Sequence, residues 1–336
     1  MERKEGNGMK ITMAHGSGGR ETGQLIREIF EANFHNSVLE KMEDSAVVEG
    51  SVRLALTTDS FVVDPLFFPG GDIGRLCVCG TVNDLLMGGA VPRYLTCGFI
   101  LEEGADSGEL AKIAVSMAET AQEAGVLIVA GDTKVVQGKG GVFINTAGVG
   151  FVPEGISVSA SACQEGDVVL VSGFLGEHHA AILSSRMGIE NEIRSDCAPL
   201  NEMVAAMRQA GVRVHAMRDV TRGGLATVLH EFAVSSGCCV ELEQNALPIS
   251  GPVKGFCGLL GLDPLYMGNE GKMTAVVDAR DAGSALACMQ KCRYGEHAAV
   301  IGRISHKENG KVLLHTSLGG LRVVPELIGE GLPRIC

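Results

Sequence analysis

Three features of this 336-residue sequence place together residue types that can do chemistry. The first is the glycine-rich run Ala14-His15-Gly16-Ser17-Gly18-Gly19. Free of bulky side chains, such a run can point successive backbone N–H groups at a phosphate, or it can be a plain turn. It is not a Walker loop, since GxxxxGK[ST] is missing, and no dinucleotide fingerprint follows a strand. The second feature is a set of aspartates, Asp44, Asp59, Asp84, Asp132 and Asp219, each ending or interrupting an apolar segment. A lone carboxylate there is costly to bury. Any one of them alone is ordinary turn chemistry. Five such aspartates in an acidic chain with a glycine-rich loop point to a magnesium cage, because Mg²⁺ takes hard oxygen ligands and bridges to phosphates.

The third feature is Cys336, the last residue. Chain ends usually fray and do nothing. A prenylation signal would need cysteine four from the end, where Pro333 stands. A terminal thiol is sterically free on one side, as a group must be that enters an active site and is then handed to a partner. The chain has eleven cysteines, an odd count, with no CxxC pair. Apart from Cys336 they are expected to be small buried hydrophobes kept reduced.

The net charge of −12 argues against nucleic acid or an anionic membrane as the main partner. A phosphate ligand therefore needs a local solution, by metal ions or backbone N–H groups. The charged start Met1-Glu2-Arg3-Lys4-Glu5-Gly6 has no apolar core of a signal peptide, and no apolar run approaches the ~18 residues of a spanning helix. A soluble, cytoplasmic protein is expected.

The 46 glycines punctuate short strands and helices, as an α/β protein requires. The spacing predicts a strand over 54–58 ending at Asp59, a helix capped by Asp72 running to about Met87, and a helix capped by Asp106 stopping at Gly125. A buried strand over 126–130 closes at Gly131-Asp132, and strand structure follows over 142–152. A second segment opens near Ser159 with a strand at 167–173, helices near 176–187, 200–210 and 223–236, and strands near 273–278 and 297–303. The domain plan is 1–155, 156–322 and a mobile tail over 323–336, with glycines and Pro333 preventing a stable helix near the end. Ten extended residues span roughly 35 Å, enough to reach a distant site.

The ordered set His15-Gly16-Ser17-Gly18-Gly19, Glu43-Asp44-Ser45-Ala46-Val47-Val48, Thr57-Thr58-Asp59-Ser60, Val82-Asn83-Asp84-Leu85, Ala130-Gly131-Asp132-Thr133 and Arg218-Asp219-Val220-Thr221-Arg222-Gly223-Gly224 resembles the aminoimidazole-ribonucleotide synthetase superfamily. That superfamily includes selenophosphate synthetase and thiamine-monophosphate kinase. Pro65 to Gly71, Gly131 to Val136 and the ending Pro333-Arg334-Ile335-Cys336 resemble its hydrogenase-maturation branch, the HypE carbamoyl dehydratases. The resemblance implies a two-domain α/β (α+β) protein that dimerises through strands of the N-terminal domain, building a shared β-barrel. It implies ATP near that interface, with Gly16, Ser17, Gly18, Gly19, Asp59, Asn83, Asp132 and Thr133 around the nucleotide and Mg²⁺ on Asp44, Asp84 and Asp219. Glu43 stands where relatives often carry a second aspartate.

The implied reaction is ATP-dependent dehydration of a carbamoyl group on the sulfur of Cys336 to a thiocyanate. The donor would be a HypF carbamoyltransferase and the acceptor a HypC–HypD iron complex. Glu270, between Asn269 and Gly271, is then the expected base and Lys134 the electrophilic aid. Without the resemblance they read as a turn residue and a solvated charge. His15, His178 and His179 are given no catalytic part. A selenophosphate-synthetase-like phosphotransferase is the alternative enzyme, although no cysteine precedes Cys77 to serve it. A non-catalytic scaffold passing an iron–cyanide fragment is the other, although no cysteines have metal-site spacing.

Overall fold

A computed structural model describes residues 9–16, 20–41, 45–46 and 48–328. Ser17, Gly18, Gly19, Asp44 and Cys336 lie outside the described residues. A 3₁₀ turn over Met13–Gly16 is closed by the buried His15 ring, whose Nδ1 accepts from the Thr12 N–H at 3.1 Å. Helix α1 (Arg20–Leu25) passes through a π-helical turn into the short α2 (Ala32–Phe34).

The next unit is β1 (Leu54–Phe61), the small pair β2 (Phe67–Phe68) and β3 (Gly71–Asp72), α3 (Ile73–Met87), β4 (Val91–Glu102), α4 (Ser107–Ala124), β5 (Leu127–Val136) and β6 (Val142–Phe151). Its four-stranded sheet has the order β1-β6-β4-β5, with β4 and β5 parallel and the other pairs antiparallel. The expected helix caps are present. Asp72 accepts from the Gly74 and Arg75 N–H groups, Asp106 from those of Gly108 and Glu109, and α4 stops at Gly125 in the left-handed region. Two strands run further than the sequence suggests. β1 continues past Asp59 to Phe61, and β5 continues through Asp132 to Val136. In both, ladder pairing to a neighbour outlasts the apolar run.

Helix α3 is apolar on all sides, and Leu76, Cys77, Val78, Cys79, Val82, Leu85 and Leu86 are all buried. A helix without a polar face must be covered all round. Here the first sheet lies on one side and the C-terminal half on the other. Gly80 permits the close approach to β1, since a Cβ there would meet the Phe61 ring at 2.8 Å. Among the described residues nothing covers the opposite face of the sheet, and Leu54, Leu56, Ile100 and Val136 on it are exposed.

The C-terminal half contains β7 (Val168–Val171), α5 (Glu177–Met187), α6 (Asn201–Gln209), β8 (Val214–Asp219), α7 (Gly224–Ser236), β9 (Cys239–Glu243), α8 (Gly251–Leu260), β10 (Met273–Val277), α9 (Ala282–Lys291), β11 (Ala299–Ser305), β12 (Val312–His315) and β13 (Leu321–Val324). Its seven-stranded sheet has the order β13-β12-β9-β11-β7-β10-β8. Residues 323 and 324, assigned to the tail on sequence grounds, are the end of edge strand β13, where Val324 pairs with Val312. One hydrophobic core joins the halves: Leu76 and Val82 of α3 share it with Leu200, Met203, Met217 and Met273. No helix among the described residues is long and apolar enough to cross a membrane.

Candidate active site

The junction between α3 and the C-terminal sheet gathers carboxylates. Asp84 projects from the last turn of α3 and accepts a hydrogen bond from Thr57 Oγ1 at 2.7 Å. Asp219 ends β8, opposite Met273 of β10. Asp84 and Asp219 line a cleft of about 470 Å³ together with Thr57, Arg218, Thr221 and Arg222. The acidic and basic groups interact. Burial raises the Asp84 carboxyl, and Asp59 adds to the rise while Thr57, Arg218 and Arg222 oppose it. Burial, then Asp84, push Asp219 up to about 7. Glu270 is raised well above the usual carboxylate range by burial, and then by Asp219, Asp196, Asp59 and Cys79.

Carboxylates that raise one another's affinity for protons also favour a cation. Among the described residues no three Asp, Glu, His or Cys side chains form a ready-made metal cage. Mg²⁺ commonly uses one or two carboxylates and takes its remaining ligands from phosphate and water. Asp84 and Asp219 fit that pattern, and the arginines beside them suit phosphate oxygens. Of the five aspartates expected to form a cage, Asp132 stands on a different strand edge from Asp59, Asp84 and Asp219, and Asp44 lies outside the described residues.

Asp132 and Lys134 lie elsewhere. They stand on β5, the edge strand farthest from β1, about 14 Å across the sheet at the usual strand spacing. Asp132 is opposite Gly98, and Gly98 is opposite Asn145, whose other neighbour is Ser60. That row occupies the uncovered face, whereas Thr57 and Asp59 face α3. Lys134 Nζ pairs with Asp132 Oδ2 at 3.0 Å, and both side chains are about two-thirds exposed. Lys134 is therefore not at Glu270 within this chain. Thr133 points the other way and is buried. These three residues border a second, mainly apolar cavity of about 290 Å³ lined by Ile26, Phe30, Phe34 and Phe99. The 3₁₀ turn that leads into the glycine-rich loop packs against β5, so Gly16 belongs to this second locality.

Asn83 has a different part from the one expected. Its buried amide donates to the Ala198 carbonyl at 3.1 Å and the Glu270 carbonyl at 3.4 Å, and its Oδ1 accepts from the Leu200 N–H at 3.0 Å. The side chain is committed to clamping α3 onto the C-terminal half, not open to a nucleotide. His15 closes its own turn. The sequence reading gave no role to Thr57, Arg218 or Arg222, although all three lie within the quoted motifs. Asp196 and Lys272 were missed altogether. Only the burial of both side chains marks them, and that has no signature in a single sequence.

The family profile "AIR synthase related protein, N-terminal domain" matches residues 42–152, and the corresponding C-terminal domain profile matches 164–315. The chain is 50% identical over 333 residues to the carbamoyl dehydratase HypE of Cupriavidus necator, covering 97% of this chain and 95% of that protein. It is 48% identical over 339 residues to the Escherichia coli K12 carbamoyl dehydratase HypE, covering 97% and 99%. Among solved structures, hydrogenase maturation protein HypE in complex with ATP superposes with a TM-score of 0.93 at 44% identity, over 96% of this chain and 99% of that one. A HypE–HypF complex matches with a TM-score of 0.79 at 45% identity, over 90% and 99%. Thiamine-monophosphate kinase from Stenotrophomonas maltophilia, at 20% identity and a TM-score of 0.66, shares the fold. With two-domain architecture, motif order and near-full-length identity in agreement, the chain belongs to the HypE carbamoyl dehydratase family of AIR-synthase-related proteins.

Proposed function

We propose that this protein uses ATP to dehydrate a carbamoyl group carried on the sulfur of Cys336, giving a thiocyanate that supplies cyanide for the iron centre of a nickel–iron hydrogenase. One observation carries the reading: Asp84 and Asp219 share a cleft with Arg218 and Arg222, and Glu270, buried nearby, is raised in proton affinity by burial and then by Asp219 of that same cleft. That is a phosphate-and-metal locality with a base beside it. The family's ATP complex supports nucleotide use by this chain, and the family's HypF complex supports HypF as carbamoyl donor. A HypC–HypD iron complex is the proposed acceptor.

Water is lost with difficulty from a thiocarbamate, because hydroxide is a poor leaving group. Transfer of the γ-phosphoryl group to the carbamoyl oxygen breaks the bond to ADP and makes that oxygen part of a phosphate. Glu270 takes a proton from the carbamoyl nitrogen. Loss of the second N–H proton with phosphate leaves S–C≡N, with ADP and phosphate as the other products. Magnesium held by Asp84 and Asp219, with Asp44, would neutralise charge on the phosphates. Arg218 and Arg222 orient phosphate oxygens from the rim.

The uncovered sheet face, with Leu54, Leu56, Ile100 and Val136 exposed, is the proposed homodimer surface. A second copy docked there would bring Asp132 and Lys134 from a partner's edge strand to the nucleotide. This accounts for their distance from Glu270 within one chain. The proposal is tested by measuring ADP release with and without a carbamoyl-phosphate and HypF donor system. ADP release that depends on the donor, matched by thiocyanate, supports dehydration. Donor-independent turnover onto another acceptor would favour the selenophosphate-synthetase-like phosphotransferase.

A further inference from the structure

Glu270 sits in a stretch without helix or strand, between Asn269 and Gly271. A glycine-flanked loop alone would let its carboxylate wander. The backbone is instead fastened on each side. Asn269 Nδ2 donates to the Val220 carbonyl at 2.9 Å, and its Oδ1 accepts from the Gly176 N–H at 2.7 Å. The decisive fastening comes from Asp196, in the irregular segment between α5 and α6. Its Oδ1 accepts from the Glu270 N–H at 3.3 Å and from the His178 N–H at 3.2 Å. Its Oδ2 accepts from the Gly271 N–H at 3.0 Å and lies 3.6 Å from Lys272 Nζ.

This carboxylate is fully buried, and the Lys272 side chain is 8% exposed. A buried ion pair is a poor stability device, since well-packed apolar residues often do as well. It does hold geometry, because one carboxylate reads three backbone N–H groups from two separate segments. The packing leaves no slack: a Cβ at Gly271 would fall 1.9 Å from the Asp196 carbonyl oxygen. The 196 segment is itself pinned, with the Ser195 N–H donating to the Pro69 carbonyl at 2.7 Å and Arg75 Nε to the Cys197 carbonyl at 2.8 Å.

We infer that Asp196, kept in place by Lys272, is a positioning residue for the reaction: it fixes the Glu270–Gly271 peptide so that the Glu270 carboxylate meets the carbamoyl nitrogen. This rests on the part proposed above for Glu270. Asp196→Asn keeps one acceptor oxygen but must aim its amide hydrogens at a backbone N–H or at the ammonium group, so the loop shifts. Displacement on the ångström scale costs about 100-fold in rate. Asp196→Asn should therefore lower kcat for thiocyanate formation about that much, with the KM for ATP changed less than about twofold.

Two further variants separate positioning from folding. Asp196→Asn/Lys272→Met removes both buried charges, so no unpaired ammonium is left behind, and should regain part of the thermal midpoint lost in Asp196→Asn while kcat stays low. In a Glu270→Gln background, Asp196→Asn should cost nothing more, because its effect passes through Glu270. An Asp196→Asn variant cyanating at the parent rate would overturn the inference. So would an additive loss in the Glu270→Gln background, or recovery of kcat together with stability in the double variant. Normal cyanation by Glu270→Gln itself would instead remove the base assignment on which the inference depends.

Discussion

The side-chain amide of Asn83, in the N-terminal half, donates to the backbone carbonyl of Glu270, in the C-terminal half, at 3.4 Å. With its bonds to Ala198 and Leu200, it ties the helix that carries Asp84 to the loop that carries the proposed base. The proposed metal-binding and proton-accepting groups are thus spaced by one buried side chain.

Asn83→Ala should cost about 2–4 kcal/mol of stability, because the Leu200 N–H and the Ala198 carbonyl lose their partner in a dry interface. Chemical denaturation of purified protein measures this directly. An unchanged midpoint would mean that the clamp carries no strain between the halves.

Asp84→Asn is nearly isosteric and can keep the Thr57 contact. Donor-dependent ATP turnover should fall about 100-fold or more, since a metal-binding charge is gone. The fold should be retained or slightly stabilised, because a carboxylate that raises Asp219 has been removed. Parallel measurement of ADP release and thermal midpoint checks both halves of this expectation. Turnover at the parent rate would take Asp84 out of the metal site.

Glu270→Gln should bind ATP and accept the carbamoyl group, then stall, with thiocyanate formation slowed by about 10²–10⁴-fold. Single-turnover mass spectrometry of the C-terminal peptide would show the carbamoyl adduct accumulating. Normal progress to thiocyanate would shift the proton-accepting role to Lys134 or to water.

Much of this site is legible in the sequence, and the part that is not has definite physical causes. Asp72 and Asp106 announce their helices because a cap is a local event: one side chain meeting N–H groups two and three residues on. Asp84 and Asp219 stand out as carboxylates beside apolar runs. Strand β4, at the interior of its sheet, is hidden because Pro92 and Gly98 both speak against a strand. Pro92 is tolerated near its start, and Gly98 faces Asn145 across the ladder. The role of Asn83 depends on residues 115 to 187 positions away. Asp196 likewise acts on Glu270, 74 positions on. The separation of Lys134 from Glu270 follows from strand order, which residue spacing does not reveal.

The two histidines that open α5 predict a pH effect on stability. Burial is the first cause that lowers both His178 and His179 to about 4, below the 6.5 of a free imidazole. Between about pH 6.5 and pH 4 the unfolded chain therefore binds protons that the folded chain excludes, and stability should fall as pH falls through that window. His179 Nε2 is buried and has no hydrogen-bond partner among the described residues. His179→Met should accordingly flatten the pH dependence while changing stability at pH 8 by no more than about 1 kcal/mol. Thermal midpoints across pH 4.5–8 decide the matter, and an unchanged acid slope in the variant would contradict it.

Cys336 is the proposed carrier of the reacting group. Wild type and Cys336→Ala should be incubated with the carbamoyl donor system, with and without ATP, and compared by intact mass. The wild type should gain one carbamoyl group and then, with ATP, lose one water, while the alanine variant gains nothing yet still dimerises and binds ATP. A carbamoyl gain in Cys336→Ala, followed by ATP-dependent loss of water, would place the reacting group on another residue.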